Sequence, residues 1–265
     1  MNLKQLQNMY LGMIEEFHNF CIKNSLIYYM VGGTLLGAVR EKGFIPWDDD
    51  VDFAMPRPDY EKFVETYQGN LIVGHYKKIK SYIFPYVKLL NKEKPFVEIH
   101  DEEFNINSAQ VSVHFDIYPI DGVGKKTKKH LKCVNFYKKL WYDRISKEKS
   151  KSIIKNLAYS LIRCIPTRFF TKKIDKAMSG HDFTQSEMVT RWRGENSIFP
   201  KSLLDTPVKL PFESLELNAP KEYDKYLTFV YGDYMKPKQE NANARHDVNN
   251  LSYLTVDLLK KNYNI

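Results

Sequence analysis

Two short stretches put acids where a strand tolerates them least. Asp50-Val51-Asp52-Phe53 alternates carboxylates with apolar side chains, and His114-Phe115-Asp116-Ile117-Tyr118 sets an acid inside a mostly hydrophobic run. Alternation of this kind marks a strand with one face on a core and the other turned away from it. A lone acid buried there without a partner is expensive. The two stretches therefore predict neighbouring strands of one sheet, with Val51 and Phe53 inward and Asp50, Asp52 and Asp116 gathered on the opposite face. At i and i+2, Asp50 and Asp52 would stand roughly 6–7 Å apart. Carboxylates that close repel unless a cation lies among them. A hard divalent ion, Mg2+ (or Mn2+), suits them, since it is held by one or two carboxylates plus substrate phosphates. Asp116 would complete a three-carboxylate set and lose its burial penalty in doing so.

The residues just upstream fit the same chemistry. Gly32-Gly33-Thr34 follows the apolar run 26–31 and precedes residues 34–40, which can form a helix. Two glycines let backbone N–H groups approach an anion, and a helix N-terminus favours negative charge. A phosphate cradle beside a carboxylate–metal site is what phosphoryl or nucleotidyl transfer needs. Arg40 and Arg57 flank the acids and either clamp phosphate oxygens or neutralise the aspartates. Trp47 packs, stacks on a base or borders a cation. Asp48 and Asp49 read as solvated loop acids, as caps, or as supports of the metal-holding pair. His114 shares the face of Asp116.

Periodicity supplies the frame. Leu3, Leu6, Tyr10, Met13, Ile14, Phe17, Phe20 and Cys21 predict an amphipathic helix over residues 2–23. Strands are expected at 26–31, 50–55, 83–90, 96–100 and 111–118, with a loop at 41–49. Asp59 is the expected N-cap of a helix over 60–67, and Pro119-Ile120-Asp121-Gly122 the expected turn after the last strand. The fold class is α+β: a small mixed sheet with flanking helices, a basic helical insert, and a C-terminal region of short helices and loops. Three regions follow: a core over 1–122, a basic amphipathic segment over 123–180, and residues 181–265 completing the site.

Charge distinguishes the middle region. The chain carries 40 Lys and Arg against 32 Asp and Glu, but residues 125–173 hold 16 of those bases and only two acids, Asp143 and Glu148. Such blocks bind anions. Within 152–170, Ile153, Ile154, Leu157, Ala158, Leu161, Ile162 and Ile165 form a helical stripe flanked by Lys151, Lys155, Arg163 and Arg168. Two readings stand: a helix lying on an anionic membrane surface, or one packed on the core with solvated lysines. No nucleic acid is expected, because no recognition motif accompanies the charge. No apolar run is long enough to span a bilayer. The N-terminus lacks the pattern of an export leader, and Cys21, Cys133 and Cys164 have no metal-ligand spacing. A cytoplasmic chain, peripheral at the inner face of the cell membrane, is the expectation.

The stretch GGTLLGAVREKGFIPWDDDVDFAMPRPDYEKF, with HFDIYPIDG and YLTFVYGDYMKPKQENANARHD later in the chain, closely resembles the LicD family of phosphotransferases, including relatives of the fukutin type. The resemblance implies a nucleotidyltransferase-like fold, with Gly32 and Gly33 on the phosphate side, Asp50 and Asp52 as the metal-binding pair and Asp116 as the third acid. It implies transfer of phosphocholine, or of glycerol or ribitol phosphate, from a CDP-activated donor to a sugar hydroxyl, releasing CMP. The acceptor would be a capsule, teichoic acid or lipopolysaccharide precursor, often lipid-linked. The C-terminal block adds Tyr234 and His246 as candidates for closing over the site.

Two other functions compete. A nucleotidyltransferase moving NMP to a small-molecule or RNA hydroxyl would use the same glycines and acids but release pyrophosphate. A non-catalytic adaptor using the basic block would bind in a salt-sensitive way and ignore Asp50 and Asp52.

Overall fold

The computed structural model describes residues 3–79, 82–91, 96–101, 106–124, 127–145, 152–191, 197–236 and 253–254. In chain order, α1 (Leu3–Lys23) leads through β1 (Tyr29–Met30) to α2 (Gly32–Arg40), then β2 (Asp52–Pro56) and α3 (Arg57–Thr66). Next come β3 (Leu71–Gly74), β4 (Val87–Asn91), β5 (Phe96–Asp101), β6 (Ile106–Ser112) and β7 (His114–Val123). Three helices follow: α4 (Thr127–Ile145), α5 (Ile153–Arg163) and α6 (Thr167–Met178). β8 (Met188–Thr190), β9 (Ile198–Pro200), β10 (Val208–Phe212), β11 (Leu215–Ala219), α7 (Tyr223–Tyr231) and β12 (Tyr253–Leu254) complete the described chain.

The main sheet runs β1-β2-β7-β4-β3, with β8 and β9 continuing from the far half of β7. β2 and β7 are parallel and their neighbours antiparallel, so the sheet is mixed and the class α+β, as expected. β5, β6 and β12 form a separate small sheet, and β10–β11 a hairpin.

α1 seals the back of the sheet. Its stripe of Leu6, Tyr10, Met13, Ile14, Phe17 and Cys21 is buried, and the helix ends where Ser25 takes a left-handed φ of 53° and Leu26 N–H bonds the Cys21 carbonyl at 2.9 Å. Phe17 is the hub. Its ring lies 5.0 Å from Phe53 and 5.6 Å from Phe115, which are themselves 5.3 Å apart. Those two phenylalanines each precede or follow an acid, so stacking worth about 0.5–1.5 kcal/mol per pair beyond burial also fixes the register of Asp52 and Asp116. A one-residue slip would turn both acids inward.

Several local expectations are corrected by tertiary context. The segment 119–122 is not a turn: β7 runs through to Val123, pairing Asp121 with Thr190 of β8. Pro119 falls between Ile117, opposite β4, and Asp121, opposite β8, an interval where its missing N–H costs the ladder nothing. Asp59 does not cap α3, which starts at Arg57 with Pro56 as its N-cap and Asp59 in its first turn. The strands expected at 26–31 and 83–90 shrink to Tyr29–Met30 and Val87–Asn91. The single stripe over 152–170 divides into α5 and α6, because Pro166 cannot continue the first helix and caps the second. The C-terminal residues Phe199, Phe212, Leu217 and Tyr226 share one core with α1.

His75, after β3, is fully buried and its Nε2 has no hydrogen-bond partner. Burial pushes its pKa down to about 4, overriding the nearby Asp175 and Glu61 carboxylates. The unfolded chain protonates this imidazole from about pH 6.5 while the folded one resists until about 4. Stability from His75 is therefore present above 6.5 and drains as pH falls to 4, by roughly 3 kcal/mol in all. Denaturant titrations of wild type and His75→Leu across that window should differ in slope; parallel curves would refute the assignment.

Candidate active site

One row across the sheet carries the chemistry. Asp52 of β2 is in register with Asp116 of β7, and Asp116 with Lys88 of β4. Adjacent strands lie about 4.8 Å apart, so the three side chains share a face. Along β7 the alternation is clean: Val113, Phe115 and Ile117 are buried while His114, Asp116 and Tyr118 are partly exposed. The Asp116 N–H donates to the Val51 carbonyl at 3.0 Å, carrying the pairing one residue beyond β2.

Asp116 is already engaged. Lys88 Nζ donates to its Oδ1 at 2.8 Å and the Tyr118 hydroxyl to its Oδ2 at 2.9 Å. Lys88 Nζ also lies 2.9 Å from His114 Nε2 and sits over the rings of Phe84 and Tyr86, at 4.7 and 5.5 Å. Tyr86 stacks on Tyr118 with centroids 4.7 Å apart. The sequence reading missed Lys88, although a cation between Val87 and Leu89 in an apolar strand is as anomalous as Asp116 itself.

The acidic loop before β2 closes on the same place. Gln7 Nε2 of α1 donates to the Asp48 carbonyl at 3.1 Å, and the Tyr10 hydroxyl to the Asp49 carbonyl at 3.2 Å. Burial, then the Asp50, Asp49 and Asp52 carboxylates, pushes the Asp48 carboxyl up to about 8. The buried Tyr10 hydroxyl is raised by burial and by Asp50, Asp49, Asp116 and Asp48. Asp48 and Asp49 are thus members of the cluster and not outlying loop acids; Asp49 is buried.

Gly32 and Gly33 start α2 against these acids. A Cβ on Gly32, whose φ is +61°, would meet Asp52 Oδ2 at 2.7 Å, and one on Gly33 would meet Asp48 Oδ2 at 2.5 Å. The glycines therefore make room for carboxylates as well as for any phosphate. Thr34 is committed: its hydroxyl accepts from the Asp52 N–H at 2.8 Å. Val31 caps α2 with no side-chain hydrogen bond, which leaves the first-turn N–H groups for a ligand.

Arg40, Arg57 and Tyr234 are engaged elsewhere. Arg40 ends α2, about 12 Å along the axis from Gly32, and pairs with Glu41 at 3.4 Å. Arg57, beyond the other end of β2, is not available as a phosphate clamp: its guanidinium is held by Asp121 at 2.6 and 2.8 Å and by Asp175 at 2.8 Å. Trp47 is half-buried in the turn before the acids. Tyr234 is buried, its hydroxyl on Asp224 Oδ1 at 2.5 Å. His246, with Arg245 and Asp247, lies outside the described residues. Arg191, which nothing in the sequence singled out, is buried just beyond β8, with Tyr226, Asp52, Tyr118 and Tyr231 as its electrostatic neighbours.

The donor set fits a hard divalent cation, being all carboxylate oxygen. Among the described residues no three Asp, Glu, His or Cys side chains form a ready cage.

Comparison with known sequences decides the lineage. A family described as LicD/FKTN/FKRP, nucleotidyltransferase domain, matches residues 25–163, more than half of the chain. The protein belongs to the LicD family. Among LicD-family relatives, the Lipopolysaccharide cholinephosphotransferase LicD of Haemophilus influenzae is 26% identical over 260 residues, covering 93% of this chain and 96% of that protein. Uncharacterised proteins of Rickettsia prowazekii and Rickettsia typhi are 43% identical over 47 residues, 18% of this chain. The LicD match takes in Asp48, Asp50, Asp52, Lys88 and Asp116; Arg191 lies beyond it.

Proposed function

We propose that this LicD-family transferase moves phosphocholine from CDP-choline to a sugar hydroxyl of a cell-surface glycan precursor, of the capsule, teichoic acid or lipopolysaccharide kind, carried at the inner face of the membrane. The observation that carries the reading is the in-register row of Asp52, Asp116 and Lys88 beside a glycine-started helix. The Haemophilus relative, a lipopolysaccharide cholinephosphotransferase by name, supports phosphocholine over glycerol or ribitol phosphate.

Mg2+ (or Mn2+) held by Asp50 and Asp52 would neutralise charge on the donor diphosphate. The N–H groups of Gly33 and Thr34, at the start of α2, would take the phosphate oxygens, and the buried Arg191 guanidinium would supply a fixed positive charge from the β8 side. Asp116 takes the proton of the acceptor hydroxyl while Lys88 and Tyr118 hold its carboxylate in one orientation. The acceptor oxygen bonds to the choline-bearing phosphorus, the bond from that phosphorus to the bridging oxygen breaks, and CMP leaves with that oxygen.

Incubating the protein with Mg2+, a sugar acceptor and CDP-choline, CDP-glycerol or CDP-ribitol in turn should release CMP, fastest from CDP-choline. Preference for a polyol donor would overturn the choline assignment alone. Pyrophosphate release from nucleoside triphosphates, with no CMP from any CDP-alcohol, would establish nucleotidyl transfer instead.

A further inference from the structure

α5 is a helix with no buried residue. Ile153, Ile154, Leu157 and Leu161 are 86, 81, 64 and 66% exposed. At spacings of three and four they form one continuous stripe, and the half-exposed Phe169 of α6 adds a ring nearby in sequence. Of the two readings of this segment, packing on the core holds for α6, which buries Phe170, Ile174 and Met178, and fails for α5. The anchor of α5 is at its C-terminal end, where Ile162 packs against the smaller core cluster and Arg144 Nε holds the Ile165 carbonyl at 2.8 Å.

Charge identifies what covers the stripe. From Lys149 to Ile174 the chain has seven Lys and Arg and no acid. Lys155 is exposed beside the stripe and Lys172 and Lys173 are exposed on α6; Lys173 Nζ rests over the Phe169 ring at 5.5 Å. Apolar surface of this size left in water is costly, and a protein partner would have to match a long cationic rim with acids. A bilayer of anionic lipids offers both properties at once: acyl chains for the stripe, and phosphates for cations whose stems reach past it. No helix among the described residues is long and apolar enough to cross a membrane, so contact of this kind is peripheral.

We propose that α5, with the exposed lysines of α6, docks the protein flat on an anionic bilayer surface. This stands independently of the donor and acceptor assigned above.

The test is flotation with lipid vesicles. Wild type should float with phosphatidylcholine vesicles containing phosphatidylglycerol, at least about tenfold more than with phosphatidylcholine alone, and high salt should release it. Leu157→Glu/Leu161→Glu should weaken binding about a hundredfold, with thermal midpoint and CMP release on soluble acceptor unchanged, since both side chains are largely exposed. Lys155→Glu/Lys172→Glu should abolish the preference for anionic lipid and spare those same controls. Wild type that ignores anionic vesicles, or a Leu157→Glu/Leu161→Glu variant that binds them equally well, overturns the proposal. So does sedimentation showing a wild-type dimer that this variant splits while vesicle binding is absent, for then a second copy is the occupant. Wild type that floats as expected but releases no CMP from any CDP-alcohol would count against the catalytic reading only.

Discussion

Asp52→Asn is expected to lower kcat about a thousandfold while leaving the fold intact. A divalent ion stabilises transition-state charge by several kcal/mol, and each 1.36 kcal/mol is a factor of ten in rate. Asparagine keeps the shape of the side chain, and the bond from Thr34 goes to the backbone N–H of residue 52, so the strand stays paired. Mg2+ is expected to raise the thermal midpoint of wild type, since an ion bound only to the native state stabilises it by mass action, and the variant should lose that rise. Turnover near the wild-type rate in the presence of Mg2+ would remove the row from the mechanism.

Arg57→Leu should act on stability and not on chemistry. The guanidinium is the shared counter-ion of fully buried Asp121 and nearly buried Asp175. Burial works to raise the Asp175 carboxyl, and Arg57 with the Tyr76 hydroxyl overcomes it and holds the group below the ordinary range. Removing the cation strands two carboxylates, a loss of about 3–5 kcal/mol, or about 10 °C in thermal midpoint for a chain of this size. Adding Asp121→Asn and Asp175→Asn should recover much of it, because an absent pair costs less than a broken one. If Arg57 clamped phosphate instead, the single variant would lose kcat at an unchanged midpoint, and the companion changes would restore nothing.

Those two arginines show what a sequence can and cannot disclose. Arg57 sits four residues past Phe53, beside the acidic run; besides its neighbour Glu61, its two buried carboxylates come from 64 and 118 positions further on. Arg191, remote in sequence, is the one whose guanidinium has Asp52 among its electrostatic neighbours. Which cation meets which acid is a property of strand order, and strand order is not local. Alternation is local, and so the two faces of 113–118 were legible; the strand expected at 50–55 begins only at Asp52, and the pairing of Asp52 with Asp116 belongs to the β2–β7 register. Lys88 broke the same rule in its own strand and could have been flagged; its place opposite Asp116 could not, because nothing nearby sets the β4–β7 register. Residues 119–122 have the composition of a turn, but partners on β2 and β8 pull the chain straight. Likewise the glycines at 32 and 33 announce a close approach, but not that carboxylates approach first.

The family match begins at residue 25, after α1 has ended. Yet Gln7 and Tyr10 grip the carbonyls of Asp48 and Asp49, and Phe17 wedges behind Phe53 and Phe115. A fragment trimmed to the recognisable module would keep every acid and lose the scaffold that aims them.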